Sequence, residues 1–142
     1  MAELTLRHAR QIIEATFAKG REMGLKPLTV IVVDAGGHVK AFERADDTAP
    51  GRFGIAHGKA HGAIMMGAGG RALMKRAEDQ AYFIAAVNGV FGGALVPVPG
   101  GILIRDSEGA IRGAVGVTGD TSDNDAEAGL AGIEAAGLTG EA

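Results

Sequence analysis

The stretch Val96–Asp125, VPVPGGILIRDSEGAIRGAVGVTGDTSDND, constrains the fold more than any other part of the chain. Ile102, Leu103 and Ile104 form a short apolar run, Asp106-Ser107-Glu108-Gly109 has turn composition, and Ala110–Val117 returns as a second run. Asp and Ser favour turn positions and Gly takes a positive φ without steric cost, so the spacing predicts a β-hairpin. On its second strand, the two-residue period puts Ile111, Gly113, Val115 and Val117 on one side. Arg112, Ala114 and Gly116 share the other. Glycine inside a strand marks a close approach by something flat. A helix lying on the strand satisfies that more simply than a ligand does.

Two loops frame this hairpin. Pro97-Val98-Pro99-Gly100-Gly101 precedes its first strand, and Thr118–Asp125 follows its second and caps a last helix predicted over about Asp123–Ala136. Both loops fall at one end of the hairpin, where loops held by a rigid sheet commonly build sites.

The remaining elements follow from periodicity. Thr5 caps a helix reaching about Met23, with Ala9, Ile12, Ile13, Thr16, Phe17 and Gly20 at helical spacing; Gly24 and Pro27 end it. Leu28–Val33 is a continuous β-branched run suited to burial on both faces, and Val39–Arg44 returns after the Asp34–Gly37 turn. After a polar loop over Asp46–Gly51, Arg52–Met66 is helical in period, with Gly54, Gly58 and Gly62 forming a bare stripe. Each mid-helix glycine costs about 1 kcal/mol against alanine, so the stripe predicts close contact with another helix, in the same chain or in a second subunit. Gly67–Gly70 breaks the pattern, Arg71–Val87 is helical with an interruption near Glu78, and Asn88–Gly93 is a loop. Tyr82 and Phe83 are expected in the core. The sum is an α+β fold in one domain over residues 1–142. Two β-hairpins build a mainly antiparallel sheet, and helices pack on it.

Composition narrows the function. With no cysteine, thiolate nucleophiles, iron–sulfur clusters and cysteine zinc sites are excluded, and a reducing compartment fits. A net charge of −3 without a basic tract, and aromatic residues at only 4%, argue against a nucleic-acid partner. No run has the length or apolarity of a membrane span or a signal peptide, so the expectation is a soluble cytoplasmic protein. Glycine at 24 of 142 residues implies closely approaching backbones and flat surfaces suited to subunit contacts.

Two constellations carry chemistry. His57-Gly58-Lys59-Ala60-His61 sets two imidazoles one turn apart, but Gly58 stands where a zincin helix has its glutamate, so no metal site is assigned. Arg44, Lys59 and the Pro99-Gly100-Gly101 loop together make a possible anion clamp: a guanidinium fork, an ammonium and free backbone N–H groups. Asp46 follows Arg44 closely. No P-loop or dinucleotide fingerprint is present.

Val30–Gly37, Arg44-Ala45-Asp46, Lys59-Ala60, Pro99-Gly100-Gly101, Gly113–Gly119 and Asp125 follow one another in a fixed order. In that order they resemble the GlcG/HbpS-like family, described as haem-degrading or haem-binding domains and found as the C-terminal domain of PduO-type proteins. The resemblance implies an α/β layered, profilin-like subunit with about five strands, and assembly through dimers into larger, octamer-like rings. It also implies a pocket near Arg44, Lys59 and the Pro-Gly-Gly loop. Three readings result. In the first, an enzyme needing no cofactor acts on a small unsaturated acid of 2-hydroxy- or 2-amino-muconate type, by tautomerisation or hydrolytic deamination. His61, Lys59, Asp125 and Asp120 would be catalytic, and Arg44, Asp46, His57, Pro99, Gly100 and Gly101 would bind the substrate. In the second, haem binds with His57, His61 or His8 as axial ligand. In the third, the protein is a sensory or structural homo-oligomer without turnover.

Overall fold

A computed structural model describes residues 3–142. The elements run α1 (Leu6–Glu22), β1 (Thr29–Asp34), β2 (Val39–Arg44), α2 (Arg52–Met66), α3 (Gly70–Asp79), α4 (Ala81–Val90), β3 (Gly101–Arg105), β4 (Ile111–Thr118), α5 (Ser122–Ala135) and β5 (Thr139–Glu141). The five strands form one antiparallel sheet in the order β2-β1-β4-β3-β5. This is the expected α+β layered architecture.

Alternation along β1 divides the interior in two. Val30 and Val32 join Ile12, Ile13, Val115, Val117 and Ile133 under α1 and α5, while Ile31 and Val33 join Ala56, Ala60, Ala63, Leu103 and Ala114 under α2. The helices lie very close to the sheet because glycine leaves room for them. A Cβ at Gly116 would overlap the Ala56 carbonyl, which is the flat approach by a helix that the strand glycines imply. Thr5 caps α1 through the His8 amide, and Met23 and Gly24 close it as expected.

Several expectations need correcting. Within the chain the glycine stripe of α2 does not meet a helix: Gly58 faces Val96 and Gly62 faces Leu95, both in the segment before β3, and Gly54 faces open space. Ile111 packs on the α2 side, opposite Val115, because the register shifts between Ile104 and Arg105 and one residue of β4 is bulged out. The helical stretch after Gly70 breaks at Gln80 into two helices, the second running on to Val90. Tyr82 lies on the outside at 75% exposure, whereas Phe83 packs on a small cluster with Leu73, Ile84 and Leu95 beneath the Arg76 guanidinium.

Candidate functional site

The chemistry gathers on two sides of α2. Its inner side carries Lys59, 2% exposed, whose Nζ donates to the Val117 carbonyl at 2.9 Å and to Asp125 Oδ2 at 3.3 Å. Local sequence makes room for this. Gly101 lies under the Lys59 backbone, and Gly100, at φ +111, leaves space for the ammonium. The other oxygen of Asp125 accepts from the Asp120 amide at 2.9 Å. Burial pushes the Lys59 ammonium down from its ordinary pKa, with the Asp125 carboxylate opposing; burial likewise pushes Asp125 up. Arg52, at the start of α2, donates to Thr118 Oγ1 at 2.8 Å. The neighbouring Thr29 hydroxyl is buried and has no hydrogen-bond partner.

The outer side carries a row of rings. Phe53, His57 and His61 recur at four-residue spacing and so stack along one helix flank. Phe42 of β2 meets Phe53 edge-on at 4.9 Å between centroids, and Phe53 stacks on His57 at 5.9 Å with 2° between planes. His57 and His61 are 5.3 Å apart, and Phe91 closes the row edge-on at 6.4 Å from His61. The His61 Nδ1 lies 2.9 Å from the Ala94 carbonyl. A carbonyl only accepts, so Nδ1 carries a proton, and in the neutral ring the lone pair is on Nε2. Burial, and the His61 imidazole beside it, hold the His57 pKa below the usual histidine range. Both rings are only partly buried.

The structure thus separates what sequence placed in one pocket. Lys59, Gly100, Gly101 and Asp125 meet; Pro99 abuts Gly70 beside them. His57 and His61 are on the opposite flank of the same helix. Arg44 ends β2 as an exposed residue, and Arg52 is the guanidinium that reaches the Lys59 end. Among the described residues no hydrogen bond or ion pair joins Arg44 to Lys59 or to the glycine loop, although Arg44 lies in register with Thr29 and Thr118 across the sheet. Asp46 opens onto a cleft on the α1 side with Phe17, Lys26 and Leu28. Asp120 is fully engaged by the Lys26 and Thr121 amides and by Asn124, whose hydrogen bond contributes most to holding its pKa at about 2; it cannot carry a proton near neutral pH. His8 is tied into the α1 capping box, where its Nδ1 lies 3.0 Å from Thr5 Oγ1.

Sequence reasoning missed Arg52 and the phenylalanine row. The four-residue recurrence of Phe53, His57 and His61 was the available signal. Among the described residues no group of three or more His, Cys, Asp or Glu is placed to hold a metal ion. No helix among them is long and apolar enough to cross a membrane.

Residues 4–134 match the family described as haem degrading protein HbpS-like, and the chain belongs to that family. Solved structures share the fold. The crystal structure of a PduOC:haem complex has a TM-score of 0.85 at 21% identity, over 96% of this chain and 97% of that one. The Klebsiella pneumoniae protein ORFY also gives 0.85, at 22% identity, over 96% and 93%. A double mutant of Streptomyces reticuli HbpS gives 0.79 at 25% identity, over 94% and 87%. No curated protein matches the sequence.

Proposed function

We propose that this protein binds haem, with the iron ligated from the His57–His61 pair. The observation that carries the reading is the ring row along α2: two imidazoles, one of them with Nε2 freed by the Ala94 carbonyl, flanked by Phe42, Phe53 and Phe91. Family membership and a relative crystallised with haem support it. The donor set suits the group. A neutral imidazole is a common axial ligand, the Ala94 carbonyl fixes the tautomer of His61, and apolar rings beside the pair suit an apolar macrocycle. The depressed pKa of His57 keeps that ring unprotonated at neutral pH.

Bound haem would supply redox and oxygen chemistry at its iron. The chain's own residues would bind and orient it. His57 and His61 are only partly buried, and a second copy of the chain would cover them; this is the place we assign to the expected homo-oligomer. The muconate-type enzyme reading draws no support from the geometry, because His61 and the Lys59–Asp125 pair occupy opposite sides of α2. A cytoplasmic location goes with the haem reading as an expectation from composition.

Titrating ferric haem into the purified chain tests this directly. Wild type should give a saturable Soret shift, and the double variant His57→Ala/His61→Ala should lose it while keeping its far-ultraviolet circular dichroism. Wild type without saturable binding, or a double variant with the wild-type spectrum, overturns the proposal.

A further inference from the structure

We infer that Arg44 is the anchor for a haem propionate, an assignment that rests on the haem reading above. Strand β2 lies at the open edge of the sheet, and its middle residues are only partly buried. Its face on the α2 side carries Phe42, which meets Phe53 of the ring row edge-on and packs on the α2-side core.

The register from Phe42 to Arg44 is regular, with Ile31 opposite Phe42 and Thr29 opposite Arg44. Alternation therefore puts Arg44 on the same face as Phe42, roughly 7 Å further along the strand. The Arg44 side chain thus starts from the strand face that meets the ring row through Phe42 and Phe53, within reach of a group that His57 or His61 would hold.

Charge singles out the same residue. Arg44 is exposed and makes no ion pair among the described residues. The acids nearest in sequence turn elsewhere: Glu43 lies on the opposite strand face, in a cleft with Arg10 and Arg21, and Asp46 opens onto the α1 side with Lys26. Other cations are already placed. Arg52 is held by Thr118, Lys59 is buried on Asp125, and Lys40 lines a separate cleft with Leu4 and Asp34. A guanidinium fork with no ion-pair partner among the described residues, on the strand face that carries Phe42, matches a propionate bidentately.

The test compares ferric haem with its dimethyl ester, which keeps the macrocycle and lacks the propionate charge. Arg44→Gln should weaken haem binding roughly tenfold in Soret titrations, the scale of a charged hydrogen bond. Binding of the ester should be unchanged. Arg44→Lys should fall between, since it keeps charge without the fork, and Arg10→Gln should match wild type for both porphyrins. The inference is overturned if Arg44→Gln binds haem as tightly as wild type, or loses haem and ester equally. If wild type binds neither porphyrin, the haem reading itself fails, a result distinct from both.

Discussion

The two sides of α2 hold ionisable groups in opposite ways. On the inner side, Lys59 and Asp125 are each 2% exposed as side chains, joined to one another and to backbone groups of β4 and the β4–α5 loop. On the outer side, His57 stacks on Phe53 and His61 lies tilted against His57, and apart from the Ala94 contact their nitrogens make no hydrogen bond among the described residues. Removing a partner from a buried pair strands a charge, whereas removing a half-exposed ring leaves room that water can fill. The inner pair is placed to hold α2 to α5 across the end of the sheet. The outer row is placed to meet a ligand. One helix thus serves both stability and recognition, and substitutions should sort accordingly.

The largest effect should come from the inner side. Lys59→Met leaves Asp125 buried without its cation and should cost about 3–5 kcal/mol in denaturant unfolding. Adding Asp125→Leu should recover much of that loss, since a buried pair replaced by apolar side chains is often near neutral. If the double variant is no more stable than the single one, the pair has a role beyond mutual neutralisation.

Acid should act on other carboxylates. Asp120 has its folded pKa lowered to about 2 against an ordinary 3.8, so its contribution is present above pH 3.8 and is lost as pH falls toward 2. Asp125 is shifted upward and works in the opposite sense, so it does not drive acid unfolding. Asp120→Ala should therefore cost about 1 kcal/mol at neutral pH, the scale of a lost cap, and flatten the acid limb of a stability–pH curve. An acid limb as steep as wild type would assign it to other groups.

The outer side should be nearly silent in stability and sensitive in binding. His57→Ala should change unfolding by less than about 1 kcal/mol. Haem affinity should fall as pH drops below the ordinary histidine range, because a protonated imidazole has no lone pair to give. Gly54→Ala should give the smallest change, a stabilisation of about 0.5–1 kcal/mol, since a Cβ there meets open space on a helix. A destabilised or dissociated Gly54→Ala variant would instead place a partner copy against that surface.

Much of this fold could be read before any coordinates. The unbroken β-branched run before Asp34 implied burial on both faces, and the turn residues at Asp34–Gly37 and Asp106–Gly109 implied the two hairpins; each is a local signal with a local cause. The short strand β5, Thr139–Glu141, has too few residues to show a period. The Lys59–Asp125 pair joins positions 66 residues apart, which no spacing rule connects. Arg52 was passed over as an anchor because its reach to Thr118 depends on how the helix crosses the sheet. The rings of Phe53, His57 and His61 were visible as a period, but Phe42 and Phe91 join the row only through tertiary packing.

The long sequence separation of the Lys59–Asp125 pair also bears on the order of events in folding. The pair can close only after β3 and β4 are paired and α5 has begun, because Gly100, Gly101 and Val117 form its housing. Contacts made after the rate-limiting step govern how fast the native state opens, not how fast it forms. Lys59→Met should accordingly steepen loss of structure by raising the unfolding rate, with the refolding arm of a chevron plot nearly superimposed on wild type. The inner face of α2 would then act as a late latch that sets the lifetime of the folded chain.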